Sequence, residues 1–163
     1  MRITGRVWKF GDNINTDLIY PNVALNLSAE ERWKWVFSAN RPGWVEQVES
    51  GDIIVGGCNF GTGSARPGAV VFQELKLGGL VAHSINGVFF RNCINYGFPA
   101  LQCAGVAEAF EEGDVAEIDL EAGTVKNLRS AQMLQGVKLP QAMVKIIEAG
   151  GIVPLLRKEG YLD

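Results

Sequence analysis

An α/β fold with some parallel strand pairing is predicted for this chain, and three features of its sequence predict it. Short apolar runs, Ile53-Ile54-Val55 and Leu80-Val81-Ala82, alternate with segments of helical apolar spacing, Ala69 to Leu77 and Ile85 to Tyr96, the rhythm of strands joined by crossover helices. Glycine and proline mark the changeovers at Gly78-Gly79, Gly97 and Pro99. Past residue 104 the apolar period drops to two: Val115 to Leu120 alternates, Glu121-Ala122-Gly123 turns, and Thr124 to Leu128 returns as a hairpin partner.

From the start of the chain, Ile3, Val7, Trp8 and Phe10 give residues 2 to 10 the pattern of an opening strand, and Gly11-Asp12-Asn13 ends it. Between Asn13 and Pro21 short polar side chains stand among apolar ones; Thr16 and Asp17 either cap a helix or turn or point into a site. Ser28-Ala29-Glu30-Glu31 has the form of a capping box, which predicts a helix to about Ser38 with Trp33 and Phe37 on one face. Asn40-Arg41-Pro42-Gly43 breaks the chain, with a short helix expected through Val48. Ile53 to Gly56 reads as a buried strand, and the helix over Ala69 to Leu77 is expected to stop at Gly78-Gly79. Val106 to Phe110 reads as a helical turn, Gln132 to Gly136 is ambiguous, and Pro140 to Ala149 is expected as a closing helix capped by Gly150-Gly151.

The 163 residues, 47% hydrophobic and 20% charged, suit one domain, residues 1–163, with a substantial core. Net charge is −3 and no basic cluster occurs, which disfavours nucleic acid as a partner. No apolar run has the length of a membrane span. Cys58, Cys93 and Cys103 form no CxxC pair, and Met1 to Arg6 has no signal-peptide character, so reduced thiols in a cytoplasmic protein are expected. With a single histidine, His83, the chain has no metal-ligand cluster of its own, and a metal must come from a partner. His83 itself is expected to be structural.

The most distinctive stretch is Gly57 to Leu77, G-C-N-F-G-T-G-S-A-R-P-G-A-V-V-F-Q-E-L-K-L. It follows a strand and opens a helix. Gly61 and Gly63 suit positive φ, Pro67 suits a first helical position, and amides freed at the helix start beside Arg66 would make an anion pocket around Ser64. A P-loop would end in Gly-Lys-Ser/Thr and a dinucleotide loop would have a third glycine where Arg66 stands. What remains is a small anion such as a carboxylate, which a guanidinium binds with two parallel hydrogen bonds, or a plain turn whose arginine pairs with a neighbour.

Four stretches then combine: G-D-N-I-N-T-D-L-I-Y-P, N-F-G-T-G-S-A-R, A-H-S-I-N-G-V-F-F-R-N-C-I-N-Y-G-F-P-A-L and I-I-E-A-G-G-I-V-P. In this order and spacing they resemble, over nearly the whole chain, the small subunit of isopropylmalate isomerase, which corresponds to the swivelling domain of aconitase. The resemblance implies an α/β domain of the aconitase-type swivelling β/β/α kind, a mixed central sheet flanked by helices. It implies a partner, a cluster-bearing large subunit whose [4Fe-4S] cluster acts on a hydroxy-dicarboxylate substrate, and a reaction of stereospecific dehydration and rehydration in leucine biosynthesis. By the same resemblance Ser64 is the base and Asp17 its catalytic support, while Arg66, Gly63 and Thr16 bind the substrate, Arg66 at a carboxylate.

The chain also departs from that family. Ser64-Ala65-Arg66-Pro67 replaces serine-serine-arginine-glutamate, Tyr20 to Leu27 lacks the arginine that relatives carry in a substrate-selecting loop, and Asn86-Gly87 replaces alanine-arginine. A buried carboxylate without a partner costs several kcal/mol, so the loss of two basic positions points away from a tricarboxylate and toward a substituted malate. Two rivals follow: a non-catalytic swivel domain that binds or regulates, and a stand-alone enzyme with another carboxylate chemistry.

Overall fold

Alternation along the central strands decides how the molecule is layered. The computed structural model describes residues 1–163. Strand β1 (Arg2–Lys9) pairs in parallel with β2 (Ile53–Gly56), β2 with β3 (Gly79–Ala82), and β3 with β4 (Ala100–Gln102). On its other side β1 pairs antiparallel with β5 (Val115–Asp119), which continues through β6 (Thr124–Asn127) to β7 (Met133–Gln135). The order across the seven strands is β4-β3-β2-β1-β5-β6-β7. Successive residues face opposite ways. Trp8, Ile54, Leu80, Ala82 and Ala100 therefore join one apolar cluster, and Val7, Ile53, Val55, Val81 and Leu101 join a second with Ile118 and Val125 of the hairpin. Burial on both faces is why the parallel strands read as unbroken apolar runs.

Helix α3 (Gly68–Glu74) covers the first cluster, and α4 (Gly87–Asn95) supplies Phe89 and Cys93 to it. The second cluster is closed by α5 (Val106–Ala109) and by α6 (Gln141–Glu148), through Val106, Val144 and Ile147. Beyond β7 the Val137 amide donates to the Gln102 carbonyl of β4 at 2.8 Å, so the sheet curls until its two margins meet. No helix is long and apolar enough to cross a membrane.

Four expectations need correction. The capping-box segment forms only α2 (Ala29–Arg32) followed by a 3-10 turn at Trp33–Trp35, and Ser28 makes no side-chain cap bond. Val36 turns extended and Phe37 takes φ +56°, with its amide donating to Leu18 at 3.0 Å. Continuing the helix would have pointed the Phe37 ring away from Phe10, Trp44 and Phe72, against which it now packs; tertiary burial overrides propensity here. No helix forms between Trp44 and Val48, where the chain stays in turns. Helix α3 stops at Glu74 rather than at the paired glycines, through Lys76 at φ +56°. Gly78 instead allows close packing, since a Cβ there would lie 2.5 Å from the Gly51 carbonyl oxygen. Finally, the chain does not close at Ala149: α7 (Ile152–Lys158) follows and tolerates Pro154 because it lies in the first turn, where amides need no helical acceptor.

Two buried carboxylates pin the ends of strands. Asp52 accepts from Trp8 Nε1 at 2.6 Å, Arg6 Nη2 at 2.8 Å and the Glu49 amide at 2.9 Å. Asp114 accepts from the Glu111 amide at 2.9 Å, Asn127 Nδ2 at 2.7 Å and Arg129 Nε at 2.6 Å. Burial pushes both carboxyls up, but those donors outweigh it and hold each below its ordinary value. A folded-state pKa below the unfolded one contributes stability above the unfolded value, about 3.9, that is lost as pH falls through the folded value. Denaturant titrations should therefore show stability falling steeply below about pH 4. An Asp52→Asn variant should be less stable at neutral pH and should show a shallower acid slope.

Candidate active site

The glycine loop after β2 is built by pairing with the turn after β1. The Gly61 amide donates to Ile14 O at 2.7 Å, and the Thr16 amide donates to Thr62 O at 2.8 Å, the rungs of a short parallel ladder. Gly61 and Gly63 sit at φ +77° and +103°, the left-handed region that favours glycine, as the sequence predicted. Beneath the loop lies the Phe89 ring of α4. A Cβ on Gly61 would stand 2.2 Å from its Cγ, and one on Gly68 would stand 2.8 Å from its Cε2.

Helix α1 (Thr16–Ile19) begins at this ladder, and its N-cap is Asn15, whose Oδ1 accepts from the Leu18 amide at 3.0 Å. The cap is therefore neither Thr16 nor Asp17. Asp17 is exposed in the first turn and lies 2.7 Å from Arg66 Nε. Thr16 is buried, and its hydroxyl donates to the Ser64 carbonyl at 2.8 Å and lies 3.4 Å from Ser64 Oγ.

Arg66 is the hub. Its Nε donates to Ser64 Oγ at 3.2 Å, Nη1 to Tyr20 O at 2.9 Å and Nη2 to Asn22 Oδ1 at 2.7 Å. A guanidinium has five N–H groups, so one hydrogen on each terminal nitrogen is left over. Ser64 is exposed, and the loop brings Ser64, Arg66, Asp17, Gly63 and Thr16 together as the sequence reading grouped them. Asn22 and the Tyr20 carbonyl were missed. Asn22 drew notice only as part of a loop without arginine, and nothing local marks it as the acceptor that holds one.

The helix start does not supply the expected amides. The Arg66 amide donates to Ser64 O across Ala65, and the Gly68 amide to Arg66 O across Pro67, both at 2.8 Å; Pro67, at φ −77°, ψ 49°, is the N-cap of α3 rather than its first residue. The amides of Thr62, Gly63, Ser64 and Ala65 have no acceptor within the chain. The free donors thus sit one turn upstream of the predicted pocket and flank Ser64 itself. Asn86 caps α4 by accepting from the Val88 amide at 3.0 Å.

No three His, Cys, Asp or Glu side chains converge as metal ligands. Cys93 and Cys103 are fully buried, and burial pushes both thiols up, away from the thiolate form that ligates a metal. The residues present therefore do not fit an iron–sulfur cluster. His83 is exposed at the end of β3, where its Nδ1 accepts from the Gly105 amide at 3.4 Å. Two surface hollows of about 420 and 390 Å³, one beside Tyr96 and Val153, the other beside Lys138 and Lys145, contain none of the loop's residues. The loop lies open on the surface, with residues 63–65 exposed.

No protein-family model matches the chain. It is 44% identical over 96% of its length to the isopropylmalate/citramalate isomerase small subunit of Methanocaldococcus jannaschii, covering 95% of that protein. It is 43% identical over 97% of its length to the 3-isopropylmalate dehydratase small subunit 1 of Methanopyrus kandleri, covering 94% of it. Among solved structures, the crystal structure of 3-isopropylmalate dehydratase (LeuD) from M. jannaschii superposes with a TM-score of 0.90 at 29% identity, over 98% of this chain and 95% of that one. Aconitase X from Thermococcus kodakaraensis, at 15% identity and a TM-score of 0.50 over 84% of this chain and 91% of that one, shares the fold. The curled mixed sheet, the loop between β2 and α3, and relatives this similar over the whole chain make it a member of the 3-isopropylmalate dehydratase small-subunit family.

Proposed function

We propose that this chain is the small subunit of a two-subunit iron–sulfur hydro-lyase that isomerises a substituted malate, 3-isopropylmalate or a close analogue. The observation that carries the reading is the Arg66 Nε–H directed at Ser64 Oγ at 3.2 Å, in a loop with unpaired amides on either side of Ser64. A serine hydroxyl serves as a base only if its anion is stabilised, and a guanidinium with free amides nearby supports that stabilisation. Ser64 Oγ, as an alkoxide, takes the proton from the carbon next to a substrate carboxylate, holds it as a hydroxyl and returns it on rehydration. The remaining N–H groups of Arg66 orient that carboxylate, and Asp17 balances the guanidinium charge at 2.7 Å.

The [4Fe-4S] cluster belongs to the large subunit in this reading, since the thiols here do not fit it. Held there, such a cluster would supply Lewis acidity toward the substrate hydroxyl. The names of the relatives support both a large-subunit partner and a malate-type substrate. Two other arginines, which a third carboxylate would need, are engaged elsewhere: Arg32 pairs with Glu74, and Arg41 pairs with Glu112 and the Lys9 carbonyl.

Co-expression with a cluster-bearing large subunit tests the reading. The assembled pair should dehydrate 3-isopropylmalate, followed by absorbance of the unsaturated product, and should discriminate against citrate by at least about 100-fold, the cost of one unpaired carboxylate. Citrate turned over faster than substituted malates, or an assembled pair inert toward all of them, would overturn it.

A further inference from the structure

We infer that Thr16 is a positioning residue for Ser64: its hydroxyl replaces a missing backbone rung and fixes the height of the loop. This rests on the reading of Ser64 as the base. In a parallel ladder the donors on one strand recur every second residue and meet every second carbonyl on the other. The Thr16 amide meets Thr62 O at 2.8 Å, so the next rung would run from the Leu18 amide to Ser64 O. Leu18 cannot make it. Its amide has turned into α1 and donates to Asn15 O at 3.1 Å and Asn15 Oδ1 at 3.0 Å.

Thr16 Oγ1 takes over, donating to Ser64 O at 2.8 Å. One residue thus spends its amide on Thr62 and its hydroxyl on Ser64, gripping the loop on both sides of Gly63. A Cβ on Gly63 would lie 3.2 Å from Thr16 Oγ1, so the glycine lets the hydroxyl come close. Thr16 is 2% exposed, so its side chain is buried beneath the loop rather than offered to substrate as the resemblance implied, and its hydroxyl is a group that must be satisfied. Ser64 is exposed, and apart from Arg66 Nε nothing but this hydroxyl contacts it through a side chain. Losing the rung leaves the Ser64 carbonyl held only by the Arg66 amide two residues on, within the same loop, so the Cα of the residue carrying the reacting oxygen is no longer tied to α1; a misplacement of about 1 Å costs about 100-fold in rate.

The experiment compares Thr16→Val, which keeps the shape and removes the donor, with Thr16→Ser, which keeps the donor, in the pair assembled with its large subunit and assayed on 3-isopropylmalate. T16V is expected to lower kcat by roughly 10- to 100-fold with KM changed less than about threefold, and T16S to recover most of the rate. Ser64→Ala is run alongside. If S64A is inactive while T16V keeps its kcat, or if T16S is as slow as T16V, the inference about Thr16 falls and the reading of Ser64 stands. An active S64A pair overturns both. Should T16V fail to assemble, Thr16→Ala read against T16S decides by the same criterion.

Discussion

Replacing Ser64 with alanine in the assembled pair should lower turnover of 3-isopropylmalate by at least about 100-fold, the ordinary contribution of a positioned general base. That factor corresponds to about 2.7 kcal/mol of transition-state stabilisation. Assembly should survive, because Ser64 is exposed and its side chain packs against no core residue. Arg66 keeps its bonds to Tyr20 O and Asn22 Oδ1 without the serine oxygen, so the carboxylate contact should persist and KM should move little. The combination to look for is kcat lost with KM kept, measured by steady-state kinetics on complexes of confirmed stoichiometry. A variant that binds its partner and keeps near-normal turnover would show that the proton goes elsewhere.

The second large effect concerns the floor of the loop. Phe89 is 1% exposed and its ring meets Phe60 at 6.0 Å and Phe72 at 6.2 Å between centroids. It also fills the space where Gly61 and Gly68 lack side chains. Phe89→Ala should cost about 3–5 kcal/mol. At about 2–4 °C per kcal/mol for a chain of this size, calorimetry should find the melting temperature lowered by roughly 6–20 °C. A cavity here undercuts the loop itself, so activity should fall even at temperatures where the variant is folded. Phe89→Leu, which keeps most of the volume, should cost less than about 1.5 kcal/mol and restore most of the activity. A Phe89→Ala melting temperature within about 2 °C of the parent would mean that the loop carries its own rigidity.

Much of this was legible in the sequence, for identifiable reasons. Strands β2 and β3 are covered on both faces, so they appear as unbroken apolar runs, and Gly123 at φ +69° marks the hairpin turn between β5 and β6. Where local and distant forces disagree, the sequence misleads. Ser28 to Ser38 has good helix chemistry, yet Phe37 is drawn into an aromatic cluster assembled from residues far away in the chain. β4 is three residues long and α7 contains a proline, so neither has a local signature. At the site, the glycine turn and its arginine drew notice locally, whereas the grouping of Ser64 and Asp17 with Arg66 came from the family resemblance, and the structure places the three side by side. The task of Thr16 was not visible, because it depends on Leu18 leaving the ladder.

The register of β1 against β5, Arg2 opposite Asp119, has a consequence for how the protein is made. The side-chain pair at this end of the sheet is 117 residues apart in the chain. At about 5–20 residues per second a ribosome needs roughly 6–25 s between the two. Until β5 is made, the outer edge of β1 stays bare, including after the parallel half with the whole Ser64 loop has been completed at β4. An unpaired strand edge is a template for other chains. Synthesis stalled or cut after α5 should therefore release a fragment that already carries the Ser64 loop but aggregates, and maturation of the subunit waits for the hairpin.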